Sequence, residues 1–200
     1  MTNRVARLVT GRLTDPSRLW AGLAWLAGTG LAYAACLLLL AAGGDAPGDM
    51  TPWLAIPTEV YFWWEAAFIG PVVVAGGLLA SAVVYLMGRA AGGTGTFDDT
   101  LAVLGPAVAA CTVITLVPDL VIGVLLNSGA LSEQRWMADI TRPSLTLGLV
   151  WTYLTLYLVA FLVAFPYATA AVHRLGRWRA IAVGWSGFVV YQGFLFVFVR

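Results

Sequence analysis

Residues 19–42 read LWAGLAWLAGTGLAYAACLLLLAA, an apolar stretch without a charged side chain. A helix needs about 20 such residues to cross the ~30 Å hydrocarbon core of a bilayer. Four further stretches meet that length: residues 66–88, 101–126, 144–170 and 180–199. None shows the apolar/polar alternation of membrane barrel strands, so helices are the remaining spanning structure. The sequence therefore predicts an all-α, polytopic membrane protein, a bundle of five transmembrane helices with short interfacial helices.

The composition excludes most soluble classes of protein. Of the 200 residues, 60% are hydrophobic and only 10% are charged, whereas ordinary soluble domains are about 25% charged. One soluble core cannot bury so much apolar surface, which excludes a water-soluble enzyme domain. The net charge of +1 leaves no basic surface for nucleic acid. The connectors are short, so we predict an N-terminal arm (1–18) on the inner leaflet and one membrane domain (19–200).

Arginine placement predicts the orientation, because cytoplasmic loops collect basic residues. With the N terminus inside, the cytoplasmic side receives Arg4, Arg7, Arg12, Arg18, Arg89, Arg174, Arg177 and Arg179. The opposite side receives Arg135, Arg142 and Arg200. The chain contains no lysine, a composition associated with GC-rich bacterial genomes. We therefore expect a multi-pass protein of a bacterial inner membrane, with a cytoplasmic N terminus and an external C terminus.

Small residues recur at helical spacing in four spans, and such stripes let helices approach closely in lipid. They are Ala21, Ala24, Gly28, Ala32 and Ala35; Gly70, Val74, Gly77, Ser81 and Val84; Gly105, Ala109, Thr112, Leu116, Asp119 and Gly123; and Ser144, Gly148, Thr152 and Thr155. The stripes predict the packing faces of a five-helix bundle. Because several spans carry one, they also predict a homo-oligomer.

Asp119 is the acidic residue inside a predicted span, directly after Pro118. A mid-membrane carboxylate costs at least ~2.5–3.5 kcal/mol, so it usually has a partner or lines a pathway. Pro118 frees a backbone carbonyl nearby, and Thr112 lies on the same helix face. These three residues predict a binding point for a proton, a cation or a lipid headgroup. The alternative is structural: a helix entering at Leu101 would place Asp119 about 27 Å further along, near the outer interface, as a capping or pairing group.

Glu65 lies beside Trp63 and Trp64 at the outer mouth of the second span. We expect an interfacial carboxylate near a helix start, where the helix dipole favours negative charge. The functional alternative makes Glu65 one wall of an outer vestibule, and we keep it among the candidate binding residues.

The segment GGTGTFDDT (residues 92–100) lies on the predicted inner side. It lacks the Lys-Ser/Thr ending of a phosphate loop and the third glycine of a dinucleotide fingerprint. Thr96 is expected to cap the third helix, and Asp99, three residues on, to complete a capping box. The negative charges of Asp98 and Asp99 are favoured at the positive, N-terminal end of the helix dipole. The alternatives are a site for a headgroup or a cytosolic partner, and, more weakly, a metal held by Asp98 and Asp99 in a lipid-handling enzyme.

The basic turn before the last span contains His173, the single histidine of the chain. One histidine makes neither a metal site nor a catalytic triad. We expect Arg89, Arg174, Arg177 and Arg179 to hold the topology and to contact anionic lipid, each contributing about 1 kcal/mol near the surface. The sequence predicts no catalytic residue, no metal and no cofactor, and so no enzyme.

Several stretches resemble the Yip1-domain family of integral membrane proteins, in its short prokaryotic form. They are LTDPSRLW (13–20), YFWWEA (61–66), GGTGTFDDTL (92–101), VPDL (117–120) and RWRAIA (177–182). The resemblance implies five spans. Eukaryotic relatives are associated with trafficking and Rab-type GTPases through a longer cytosolic N-terminal region, so that role is not carried over to this chain.

The function that this resemblance and the composition favour is non-enzymatic. We expect a Yip1-type protein that organises membrane lipid or a membrane or cytosolic protein partner, without nucleic acid. The alternative is a small transporter or channel that uses Asp119 as its intramembrane polar site.

Overall fold

The long apolar stretches fold as helices in the computed structural model, which describes residues 16–44, 54 and 56–198. Within these residues the elements are α1 (Pro16–Ala42), a 3-10 turn (Thr58–Val60), α2 (Tyr61–Ala90), α3 (Phe97–Asn127), α4 (Glu133–Thr141), α5 (Leu145–His173) and α6 (Arg177–Phe198). The five helices α1, α2, α3, α5 and α6 are long and apolar enough to cross a membrane. The predicted all-α, multi-pass architecture is confirmed. Residues 1–15 of the predicted N-terminal arm lie outside the described residues.

The polar ends of the helices are set by local capping, as predicted for α3. The Thr96 hydroxyl accepts a hydrogen bond from the Asp99 backbone N–H (3.2 Å) and donates one to the Asp99 carboxylate (2.8 Å). The helix therefore begins at Phe97, one turn before its apolar stretch. It then continues through Pro106 and Pro118 without interruption.

The five long helices form a ring in the order α1, α3, α5, α6, α2, in which each helix packs on its two neighbours. Helix α2 also contacts α3 and α5 across the ring. Because the chain alternates in direction, the start of α1, the end of α2, the start of α3, the end of α5 and the start of α6 share one end of the bundle. We call it the arginine end, after Arg18, Arg89, Arg174, Arg177 and Arg179.

The predicted stripes of α2 and α3 are packing faces. A Cβ atom on Gly30 of α1 would lie 2.7 Å from the Gly70 Cα atom, so α1 and α2 cross in backbone contact there. A Cβ atom on Gly105 would lie 2.7 Å from the carbonyl oxygen of Gly22, which gives α1 and α3 a second close crossing. Dispersion contacts of this kind hold helices together in lipid.

The predicted stripes of α1 and α5 are not packing faces within the bundle. Residues Ala21, Ala24, Gly28, Ala32 and Ala35 of α1 are exposed, as are Gly148, Thr152 and Thr155 of α5. Helix α1 has small residues around much of its circumference, and it packs through Gly22, Leu26 and Gly30 instead. Helix α5 packs through Phe161 and Phe165, whose rings lie against Tyr191 and Phe188 of α6.

The short helix α4 confirms the helix predicted for residues around Trp136. Its start is capped by Ser132, whose hydroxyl accepts from the Arg135 N–H (3.3 Å). Trp136 is buried against Leu40 and Leu126 at the end of the bundle remote from the arginines. The amphipathic pattern therefore docks α4 on the ends of α1 and α3.

Candidate functional site

A layer of polar side chains crosses the apolar bundle between its middle and the end remote from the arginines. Every spanning helix contributes to it. We call it the polar layer; its members are Tyr33 of α1, Glu65 of α2, Thr112 and Asp119 of α3, Tyr157 of α5, and Tyr191 and Gln192 of α6. The bundle thus places polar groups from all five spans at neighbouring depths.

Glu65 is a fully buried member of the polar layer, with 0% of its surface exposed. The close crossing of α1 and α2 at Gly30 and Gly70 lies nearby. Tyr33 lies about 4.5 Å beyond that crossing along α1 and Glu65 about 7.5 Å beyond it along α2, so the two residues lie at similar depths in the bundle. Tyr33 is accordingly within electrostatic range of Glu65. Helix α2 begins at Tyr61, so the predicted carboxylate near a helix start lies one turn inside the helix, and it is buried among the helices.

Asp119 approaches the same tyrosine from α3. The Cys36 thiol points at the Leu116 carbonyl oxygen (3.8 Å), which fixes the register of α1 against α3. One turn beyond Leu116, the half-buried Asp119 lies within electrostatic range of both Cys36 and Tyr33. Helix α3 extends two turns past Asp119, so this carboxylate lies about 12 Å short of the helix end. Two carboxylates from different spans therefore lie within electrostatic range of one tyrosine.

Of the remaining members of the polar layer, Thr112 and Tyr191 are buried, and Tyr157 and Gln192 share a hydrogen bond. The hydroxyl of Thr112, a predicted binding residue, donates to the Val108 carbonyl over 2.8 Å. The Gln192 amide donates to the Tyr157 hydroxyl over 3.0 Å. Both tyrosines lie within electrostatic range of Tyr33. Pro118, predicted beside Asp119, is half-buried within the continuous α3.

The arginine end gathers the predicted basic residues at one surface. Arg89, Arg174, Arg177 and Arg179 are all exposed. Arg89 donates to the Gly93 carbonyl and Arg179 to the Ala91 carbonyl, each over 3.2 Å, so both hold the α2–α3 loop. Arg177 lies 5.6 Å from the ring centre of the exposed Trp178. A cation and an indole ring side by side match the headgroup region of a membrane.

The two acidic residues at the start of α3 have separate surroundings. Asp99 forms an ion pair with Arg18 of α1, in addition to its bond with Thr96. Asp98 is buried in the bundle. Within the described ranges, no group of three metal-ligating side chains occurs. The structure thus gives Asp99 a role in joining α1 to α3.

Sequence reasoning missed four members of the polar layer: Tyr33, Tyr157, Tyr191 and Gln192. They stand in apolar stretches, singly or, for Tyr191 and Gln192, as a neighbouring pair, with no helical spacing that links them to the other spans. The available signal was that each span carries at least one such side chain. Their convergence depends on how the helices cross.

Comparison with protein-family models, curated proteins and solved structures finds no match to this chain. The resemblance to the Yip1-domain family therefore stays a prediction. The polar layer and the arginine end are the two features of the fold from which a function can be argued.

Proposed function

We propose that this membrane protein is a small transporter that moves a proton or another small monovalent cation through the polar layer. The observation that carries the proposal concerns Glu65. This buried carboxylate lies within electrostatic range of Tyr33, and so does Asp119. Ionisable residues inside a membrane bundle are rare because they are costly, and they mark ion pathways and proton relays.

The chemistry of the polar layer suits a small cation. Carboxylate and hydroxyl oxygens replace the hydration shell of a cation that enters an apolar bundle. Glu65 and Asp119 supply negative charge, and the Tyr33 hydroxyl offers both a donor and an acceptor between them. Transfer of one charge across a membrane potential of 100 mV releases about 2.3 kcal/mol, which is enough to drive such a carrier.

Neutralising either carboxylate should abolish this transport. We expect wild-type protein in liposomes to dissipate an imposed proton or sodium gradient, and Glu65→Gln and Asp119→Asn to lose that flux while remaining folded. The measurement is the fluorescence of a pH-sensitive or sodium-sensitive dye enclosed in the vesicles, with the two dyes separating the two cations.

The matched control is Glu59→Gln, the same change at an exposed residue of the 3-10 turn. Its flux should equal that of the wild type. Folded wild-type protein without flux of either ion, or undiminished flux in both layer variants, would contradict the proposed transport.

The second candidate function is the non-enzymatic, Yip1-type organiser of membrane lipid or protein partners, with self-association included. The exposed arginines gathered at one end favour it, because they come from α2, α6 and the turn before α6. The same arginines support placing this end on the cytoplasmic face of a bacterial inner membrane, which puts the N terminus inside and the C terminus outside.

Lipid binding at the arginine end has its own test. The double variant Arg174→Gln/Arg177→Gln should weaken binding of short-chain phosphatidylglycerol about thirtyfold, since each arginine near the surface contributes about 1 kcal/mol. Titration of the detergent-solubilised protein, followed by tryptophan fluorescence, measures the affinity. Arg135→Gln, on the exposed face of α4 at the other end, should have no effect. Equal affinities for the double variant and the wild type would rule out this role for the two arginines.

A further inference from the structure

His173, the last residue of α5, is enclosed at the arginine end with 1% of its surface exposed. Glycines cover its ring. A Cβ atom on Gly88 of α2 would lie 2.8 Å from three ring atoms, and Cβ atoms on Gly93 and Gly95 of the α2–α3 loop would lie 3.0 and 3.1 Å from Nδ1. The loop is also tied to the helix end, because the Thr94 N–H donates to the His173 carbonyl (3.3 Å). Any side chain at these three glycines would occupy the space of the imidazole.

The hydrogen bonds of the ring define its tautomer. The Thr100 hydroxyl donates its proton to the Thr96 carbonyl over 2.7 Å. Its oxygen therefore accepts from Nε2 of His173, at 3.2 Å. The proton of the neutral imidazole thus resides on Nε2, and Nδ1 is bare. Buried Nδ1 has no hydrogen-bond partner among the described residues.

The charges facing this ring come from four helices. Arg89 of α2 and Asp99 of α3 lie within electrostatic range of the imidazole. Asp99 is already held by Arg18 of α1, and Arg179 of α6 is bonded to the loop at Ala91. The list is completed by Asp98, which is buried in the first turn of α3. A second proton on the ring would therefore add an N–H donor without an acceptor among the described residues and a positive charge near Arg89, which Asp99, itself paired with Arg18, offsets only in part.

We propose that His173 is a proton-operated clasp for the α2–α3 loop, residues 91–96. With Nδ1 bare, the imidazole fits between Gly88, Gly93 and Gly95 and holds the loop on the end of α5. A proton taken up from the aqueous phase at the arginine end converts the ring to imidazolium, which must expose Nδ1–H to water and so releases the loop. The clasp depends neither on cation transport nor on lipid binding.

The single histidine makes a direct test practicable, because 15N-histidine labelling gives signals from this one ring. We expect the Nε2–H tautomer at about pH 8 and protonation of Nδ1 as the pH falls toward about 5. Over that same interval, hydrogen exchange of residues 91–96 should rise several-fold relative to residues 128–132 at the other end. The measurements are nitrogen NMR and hydrogen-exchange mass spectrometry of the full chain in nanodiscs.

The matched variant is His173→Gln, whose side-chain amide keeps a donor for Thr100 but gains no proton in this range. Its loop exchange should follow that of residues 128–132 at every pH. An Nδ1–H tautomer at about pH 8, or the same acid-induced opening in His173→Gln, overturns the clasp. If His173→Gln does not fold, the wild-type protein alone tests the proposal. Protonation of its imidazole without a rise in hydrogen exchange of the loop also overturns the clasp.

Discussion

Replacement of Gly22 by leucine should prevent stable folding of the bundle, whereas the same replacement at Gly28 should be tolerated. A Cβ atom at residue 22 would lie 2.6 Å from the Leu101 carbonyl oxygen, where α1 and α3 meet backbone to backbone. Overpacking in a core usually costs about 1–3 kcal/mol of stability. At residue 22 the nearest atoms belong to the backbone of α3, which cannot move aside as a flexible side chain can. We therefore expect Gly22→Leu to lower the free energy of unfolding by that amount or more.

Gly28 is the matched control, because it lies on the same helix and faces open space among the described residues. Thermal unfolding of the detergent-purified proteins, with size exclusion to detect aggregation, measures both effects. Equal losses of thermal stability in Gly22→Leu and Gly28→Leu would contradict this prediction. They would show that the exposed stripe of α1 is a packing face, either within the bundle or between copies.

Truncation of Phe161 to alanine should destabilise the bundle by about 3–5 kcal/mol, the usual loss for a large buried aromatic side chain. The ring is 0% exposed and lies 5.4 Å from the Tyr191 ring and 4.8 Å from the Tyr157 ring, measured between centroids. Lipid supplies no hydrophobic force between helices, so lost van der Waals contact is not compensated. Tyr157 and Tyr191 pack against this ring. Because its loss leaves them without support, cation flux should also fall in the fraction of Phe161→Ala that remains folded.

The control for this prediction is Phe196→Ala in α6, since Phe196 is 58% exposed on the outside of the bundle. Its stability should change by less than about 1 kcal/mol, because lipid replaces the contacts that the ring loses. Reversible unfolding in mixed micelles gives both free energies. A loss for Phe161→Ala no larger than that of Phe196→Ala would contradict the assignment of this aromatic cluster as the core of α5 and α6.

The features predicted well are those that neighbouring residues determine. Thr96 and Asp99 lie three residues apart, so the cap of α3 was readable from spacing alone. The face of Trp136 in α4 and the stripe of α2 through Gly77 followed from helical periodicity. The prediction failed for α1, because a helix with small residues on several sides offers more than one face with the same spacing.

Glu65 and His173 show what periodicity does not contain. An acidic residue next to two tryptophans has the pattern of a membrane interface, yet the packing of the bundle buries Glu65 completely. His173 follows an apolar helix without any partner nearby in sequence, and its cover comes from glycines of α2 and the loop. Both positions depend on contacts between distant segments.

The sequence by itself determined that this chain is helical and membrane-spanning, since apolar length and missing charge act on each segment separately. Only the tertiary structure decided that Glu65 and Asp119 lie within electrostatic range of Tyr33 and that a glycine-rich loop closes over one histidine. The physical reason is that helices in lipid choose partners by close shape fit at a few small residues. That fit depends on crossing points between helices, which no single span encodes.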